Sequence, residues 1–149
     1  MYETIKTELV DRVLTVYLNR PEKLNAFNPQ MSKELSHILD EADRNDDIRV
    51  VVVTGEGRAF CSGADLGMGE RSISDAYFKE DERRDDGGGF VFKIFNLKKP
   101  IIAAINGPAV GVGITLALPM DIRICSTNAK IGFVFTRRGI LPEAGCGGF

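Results

Sequence analysis

Two stretches of this 149-residue chain pair an apolar run with a cluster of glycines: VVVVTGEGRAFCSGADL at 50–66 and IIAAINGPAVGVGITL at 101–116. Glycine directly after a buried strand marks a place where something approaches the main chain closely. The second stretch reads as entering a helix near Gly111 to Gly113, where backbone N–H groups lack an internal partner and carry partial positive charge. Two such sites brought together would offer two donors to one oxygen and stabilise charge developing on a carbonyl. A nucleotide phosphate fits less well. GVGITL has Leu116, and GEGRAF has Phe60, where a dinucleotide fingerprint needs its third glycine. No G-x-x-x-x-G-K-[ST] motif occurs either. Read from spacing alone, an oxygen cradle and mere close packing of strand on helix both stand.

The remaining chemistry-bearing residues are few. His37, the only histidine, lies beside the apolar stripe of a helix and reads as surface. Cys61, Cys125 and Cys146 form no C-x-x-C pair, so neither a disulfide framework nor a zinc site is suggested. With no nearby base, Cys61 makes a poor nucleophile. Arg137 and Arg138 could meet phosphates but read better as a solvated pair, and Asp121 as the start of a strand.

The elements that position these residues alternate. Residues 4–10 and 12–19 read as paired strands turning at Asp11 and Arg12, and RPEKLNAFNP at 20–29 as loop. Met31, Leu35, Ile38, Leu39 and Ala42 recur at helical spacing, which predicts a helix over 29–45 with Pro29 in its first turn. Residues 49–55 form a strand of the kind covered on both faces. The charged segment 70–89, ending in GGG, reads as solvated and mobile. FVFKIFNL resumes a helix, IIAAI is a buried strand, and GPAVGVGITLALPM is a turn feeding a short helix that ends near Pro119. DIRICS and KIGFVF are further strands. The class is α/β with a largely parallel sheet, in one domain over 1–149.

Composition is that of an ordinary globular domain, 44% hydrophobic and 27% charged. A net charge of −2 gives no reason to expect nucleic acid or an acidic membrane as partner. No signal peptide or membrane-spanning run is legible, and the expected compartment is the cytoplasm.

NRPEKLNAFN, AFCSGADL, KKPIIAAINGPAVGVGITLALPMDIRI and AKIGFVFTRRGILPEAG, taken in order, resemble the enoyl-CoA hydratase/isomerase, or crotonase, family. The resemblance implies a spiral of ββα units, with the chain ending before the family's C-terminal helical region. It implies acyl thioesters of coenzyme A as substrates, no separate cofactor, and trimers or hexamers for a full-length protein. It makes Ala64 and Val112 the two oxyanion-hole donors, glycine being commoner than valine at the second place. It sets Leu24, Ala26, Asp65, Leu66 and Gly67 near bound coenzyme A, chiefly through main-chain contacts. Asp65 itself reads as fixing its loop. The two glutamates of the family's hydratases fall on Thr115 and Phe135, neither of which is a carboxylate. Glu143 matches the single glutamate of some Δ3,Δ2-enoyl-CoA isomerases. An isomerase, a hydratase with differently supplied acid and base, and a non-catalytic acyl-CoA-binding or assembly subunit all remain open.

Overall fold

A computed structural model of the chain describes residues 2–65, 67 and 86–139. Strands β1 (Ile5–Val10) and β2 (Val13–Leu18) form an antiparallel hairpin running from Ile5 opposite Leu18 to Val10 opposite Val13. Its two-residue turn is Asp11 and Arg12, at φ 49° and 68°. Positive φ at both central positions gives a turn whose twist matches that of the strands it joins. Leu14, Val16 and Leu18 then point into the core.

Helix α1 (Pro29–Arg44) begins where Asn28 accepts the Met31 N–H at 2.8 Å, with proline in the first turn. It ends one residue short of the expected boundary, Asn45 serving as its C-cap. The stripe of Met31, Leu35, Ile38, Leu39 and Ala42 is buried as its spacing requires. Strands β3 (Val50–Gly55), β4 (Ile101–Ile105) and β6 (Ile122–Cys125) complete a five-stranded sheet in the order β1-β2-β3-β4-β6, parallel from β2 onward. β3 is less enclosed than expected: Val51 and Val53 are buried, while Val50, Val52 and Thr54 are only partly covered. Asp121 stands just before β6 and closes its entry, its carboxylate accepting the Ile101 N–H at 2.8 Å.

Helix α2 (Asp86–Phe95) starts earlier than the sequence suggests and includes three glycines assigned above to a mobile segment. Phe90, Val91 and Ile94 are buried in the core, and that burial outweighs the low helix propensity of glycine. The rest of that segment, 70–85, lies outside the described residues. The turn at 107–111 contains a two-residue strand, β5 (Ala109–Val110), that was not expected. It pairs in parallel with β7 (Ile131–Gly132), which is all that forms of the predicted KIGFVF strand. The helix that follows, α3, covers only Val112–Thr115, and turns carry the chain past Pro119.

Candidate functional site

β3 and β4 are adjacent and parallel, so the loops that leave them emerge together at the C-terminal ends of the strands. Open parallel sheets bind ligands at those ends. Asn106, just after β4, ties the two loops together. Its Nδ2 donates to the Gly55 and Gly57 carbonyls, both at 3.0 Å, and its Oδ1 accepts the Gly55 N–H at 3.1 Å. Asn25 does the same from the 20–28 loop. Fully buried and left-handed at φ 55°, it donates to the Glu56 and Ala59 carbonyls, both at 2.9 Å, and accepts the Arg20 N–H at 2.8 Å.

Beyond these ties the two glycine-rich segments lie directly on one another. The Cys61 N–H donates to the Pro108 carbonyl at 3.1 Å, and the Val110 N–H donates to the Cys61 carbonyl at 3.0 Å. Gly113 then sits so close that a Cβ there would lie 2.2 Å from the Cys61 oxygen. Gly111 has φ 55° and ψ −126°, a conformation open in practice to glycine alone. The two positions have different reasons for lacking a side chain: one is contact, the other torsion.

Ala64 sits in a one-residue parallel bridge with Phe27. The Phe27 N–H donates to the Gly63 carbonyl and the Asp65 N–H to the Phe27 carbonyl, both at 2.8 Å. The bridge uses the groups flanking Ala64 and leaves its own N–H unused. Val112, buried at the first position of α3, likewise precedes the intrahelical bonds, which begin with Ile114 and Thr115 donating to the Gly111 carbonyl. Among the described residues neither N–H has an acceptor. Backbone donors without partners are uncommon away from water, and here each is free to take an acceptor from outside the chain.

Next to Ala64, Asp65 turns its carboxylate away into the protein. Its Oδ2 accepts from Arg20 Nη2 at 2.7 Å, with Lys23 Nζ at 3.6 Å, and its Oδ1 accepts the Gly67 N–H at 3.0 Å. Burial alone would raise the pKa of this group. The Arg20 hydrogen bond, the Gly67 N–H and the two positive charges outweigh it and hold the pKa below the usual value. Asp65 thus fixes its loop, as the sequence suggests. Leu24, at φ 51°, accepts the Ser62 N–H at 3.0 Å through its carbonyl. Ala26 is buried and accepts from Arg20 Nη1 at 2.6 Å. The chain therefore brings Leu24, Ala26, Ala64, Asp65 and Gly67 into one neighbourhood, and the 108–113 segment with Val112 packs on the preceding residue run. Leu66 and Glu143 lie outside the described residues.

Thr115 is fully buried, its hydroxyl donating to the Val112 carbonyl at 3.3 Å, and Phe135 is buried as well. Cys61 is enclosed, and burial pushes its thiol up to about 11, so it holds little thiolate at neutral pH. His37 is exposed and shares a 2.8 Å hydrogen bond with the Tyr2 hydroxyl. A hollow of about 480 Å³ is lined by His37, Glu41, Arg44 and Asn45, all on α1 and its C-cap, with no glycine-loop residue among them. Arg137 is exposed. Among the described residues no three His, Cys, Asp or Glu side chains are grouped to hold a metal, and no helix is long and apolar enough to cross a membrane. Reading the sequence alone overlooked Arg20, Asn25 and Asn106 as builders of the site. All three stand beside the recognisable motifs, in NRPEKLNAFN and IIAAING.

A largely parallel sheet whose strand ends carry two interlocked glycine loops, with two backbone donors unpaired among the described residues, defines the class of this protein. The sequence profile of the enoyl-CoA hydratase/isomerase family matches residues 8–149, and the chain belongs to that family. It is 45% identical over 134 residues to the enoyl-CoA hydratase ACTT3 of Alternaria alternata, covering 90% of this chain and 44% of that protein. It is 38% identical over 156 residues to the 1,2-epoxyphenylacetyl-CoA isomerase of Escherichia coli K12, covering 99% and 56%. Among solved structures, the enoyl-CoA hydratase/isomerase of Pseudoalteromonas atlantica T6c superposes with a TM-score of 0.82 at 32% identity, over 97% of this chain and 55% of that one. The fold is thus the family's, and the chain spans about half the length of the relatives it matches.

Proposed function

We propose that the protein acts on enoyl thioesters of coenzyme A, that the N–H groups of Ala64 and Val112 receive the thioester oxygen, and that Glu143 moves the proton. The favoured reaction is Δ3,Δ2-enoyl-CoA isomerisation. The carboxylate takes a proton from C2 of a 3-enoyl thioester, and the electron pair delocalises onto the thioester oxygen as a dienolate. The proton then returns at C4, leaving the double bond between C2 and C3. One carboxylate serves both steps, so no second acid or base is required. Each backbone donor aimed at the oxyanion contributes about 3–4 kcal/mol in a site closed to water. Leu24, Ala26, Asp65, Leu66 and Gly67 would line the coenzyme A. It is part of the substrate, and the reaction takes no separate cofactor.

One observation supports the reading: among the described residues Ala64 and Val112 are both left with unpaired N–H groups, on segments that the Cys61–Ala109 bridge locks together. The identity of Thr115 and Phe135 supports isomerisation over hydration, because neither side chain can act as a carboxylate at the places where the family's hydratases hold water. A hydratase remains the second reading, favoured by the name of the Alternaria relative.

The test is turnover by the purified protein of a 3-enoyl-CoA and of crotonyl-CoA. Isomerisation with slow hydration is expected. Ala64→Pro, which deletes one donor, should lose far more activity than Ala64→Gly. Glu143→Gln should abolish the double-bond shift while thioester binding persists. Fast hydration untouched by Glu143→Gln would overturn the assignment, and tight thioester binding with no turnover at all would indicate a non-catalytic acyl-CoA-binding subunit. We further propose assembly into trimers, to be read by light scattering.

A further inference from the structure

We propose that Arg20 is a positioning residue that sets where the Ala64 N–H points, through a two-pronged clamp on Ala26 and Asp65; the inference rests on the reading that Ala64 donates to the thioester oxygen. Ala64 follows Gly63, which at φ 108° has no side chain to hold it in place. Its position is therefore inherited from Phe27, whose N–H and carbonyl bond the residues on either side of Ala64. Something must fix the 26–27 segment relative to Asp65, and one guanidinium spans both. Nη1 donates to the Ala26 carbonyl at 2.6 Å and Nη2 to Asp65 Oδ2 at 2.7 Å.

The clamp is itself held. Arg20 gives its N–H to Asn25 Oδ1, and its carbonyl accepts the N–H groups of Lys23 and Asn25, both at 2.9 Å. Its side chain is 12% exposed and that of Asp65 8%, so water competes little for either. Lys23, 52% exposed and 3.6 Å from the carboxylate, supplies charge but not direction. A planar fork reaches two acceptors at a fixed angle, whereas an ammonium on a flexible stem does not. The requirement is therefore for arginine and not for any cation.

The test compares Arg20→Gln, Arg20→Lys, Asp65→Asn and the Arg20→Gln/Asp65→Asn double variant in the whole protein, by enoyl-CoA kinetics and by amide hydrogen exchange. Displacing a donor by a fraction of an ångström to 1 Å costs about 10–100-fold in rate. The expected result is a loss of that size in kcat for Arg20→Gln, with KM within about threefold and Arg20→Lys restoring only part. The double variant should be no more than about twofold worse than the poorer single one, since both act through one clamp. The Asp65 amide should exchange about tenfold faster or more in Arg20→Gln, with Val51 and Val53 unchanged. Unchanged Asp65 protection would overturn the clamp. So would a uniform rise across all amides, which marks a general stabiliser, or full rescue by lysine. A parent without acyl-CoA turnover would refute the proposed reaction, and the exchange measurement would still decide the clamp by itself.

Discussion

Replacing Gly113 by alanine puts a methyl group 2.2 Å from the Cys61 carbonyl oxygen, 2.8 Å from its carbon and 2.9 Å from its Cβ. Ordinary contact between such atoms begins at roughly 3.5 Å, so the shortfall is about 1 Å. The obstructing atoms are mainly backbone and cannot rotate away. The 111–115 segment must move off the 60–64 segment, against the hydrogen bonds through Cys61 and Val110. Overpacking of this kind costs about 1–3 kcal/mol, which for a domain of this size lowers Tm by about 3–10 °C. The same shift separates Val112 from Ala64, and a 1 Å error in a catalytic group costs about 100-fold in rate. Gly111→Ala is the comparison: its Cβ meets nothing within 4 Å among the described residues, and its cost is the torsional strain of φ 55°, about 1–3 kcal/mol. Thermal melts and enoyl-CoA turnover read both variants. A Gly113→Ala protein with the parent's Tm and kcat would refute the claim that the two loops are in contact and act together.

Glu34 predicts an acid limb of stability. Buried on α1, it accepts the Glu3 and Thr4 N–H groups at 2.8 Å, the Thr4 hydroxyl at 2.5 Å and Gln30 Nε2 at 2.9 Å. Burial raises its pKa, but these bonds outweigh it and bring the pKa down to about 2 from 4.5. Because the folded value is the depressed one, the stabilisation, at most about 3 kcal/mol, is present above pH 4.5 and lost as pH falls through 2. Urea titrations of Glu34→Gln against the parent should converge toward pH 2 and diverge above pH 4.5. Asn25→Ala should cost about 3 kcal/mol, since it strips the Glu56 and Ala59 carbonyls of a donor and puts alanine at φ 55°, again read by urea denaturation. Iodoacetamide at pH 8 should label the exposed Cys125 at least about 100-fold faster than the enclosed Cys61, by peptide mass mapping.

What could be read ahead of the structure was whatever depends on neighbours in sequence. The hairpin at Asp11 and Arg12, the stripe of α1 and the apolar runs of β3 and β4 are local patterns. Asn25, Arg20 and Asn106 are not. Their partners stand 31, 45 and 51 residues away, and no period in the sequence links them. The three glycines at the start of α2 mislead for the opposite reason: their local propensity is poor, and the helix is held by Phe90, Val91 and Ile94 in the core. β5 is only two residues, too short for any alternation to register, and β7 forms over just two of the six residues of KIGFVF. Val112 illustrates the remaining case. Its side chain carries no hint of function, because the group proposed to act is an N–H that every residue but proline has.

The most direct test of the proposed oxyanion site is a crystal structure of the protein with butyryl-CoA, a saturated thioester that lacks the double bond to be moved. The thioester oxygen should accept from both the Ala64 and the Val112 N–H at about 2.7–3.1 Å. A thioester oxygen seated on other groups, or a Val112 N–H turned onto a protein carbonyl, would contradict it.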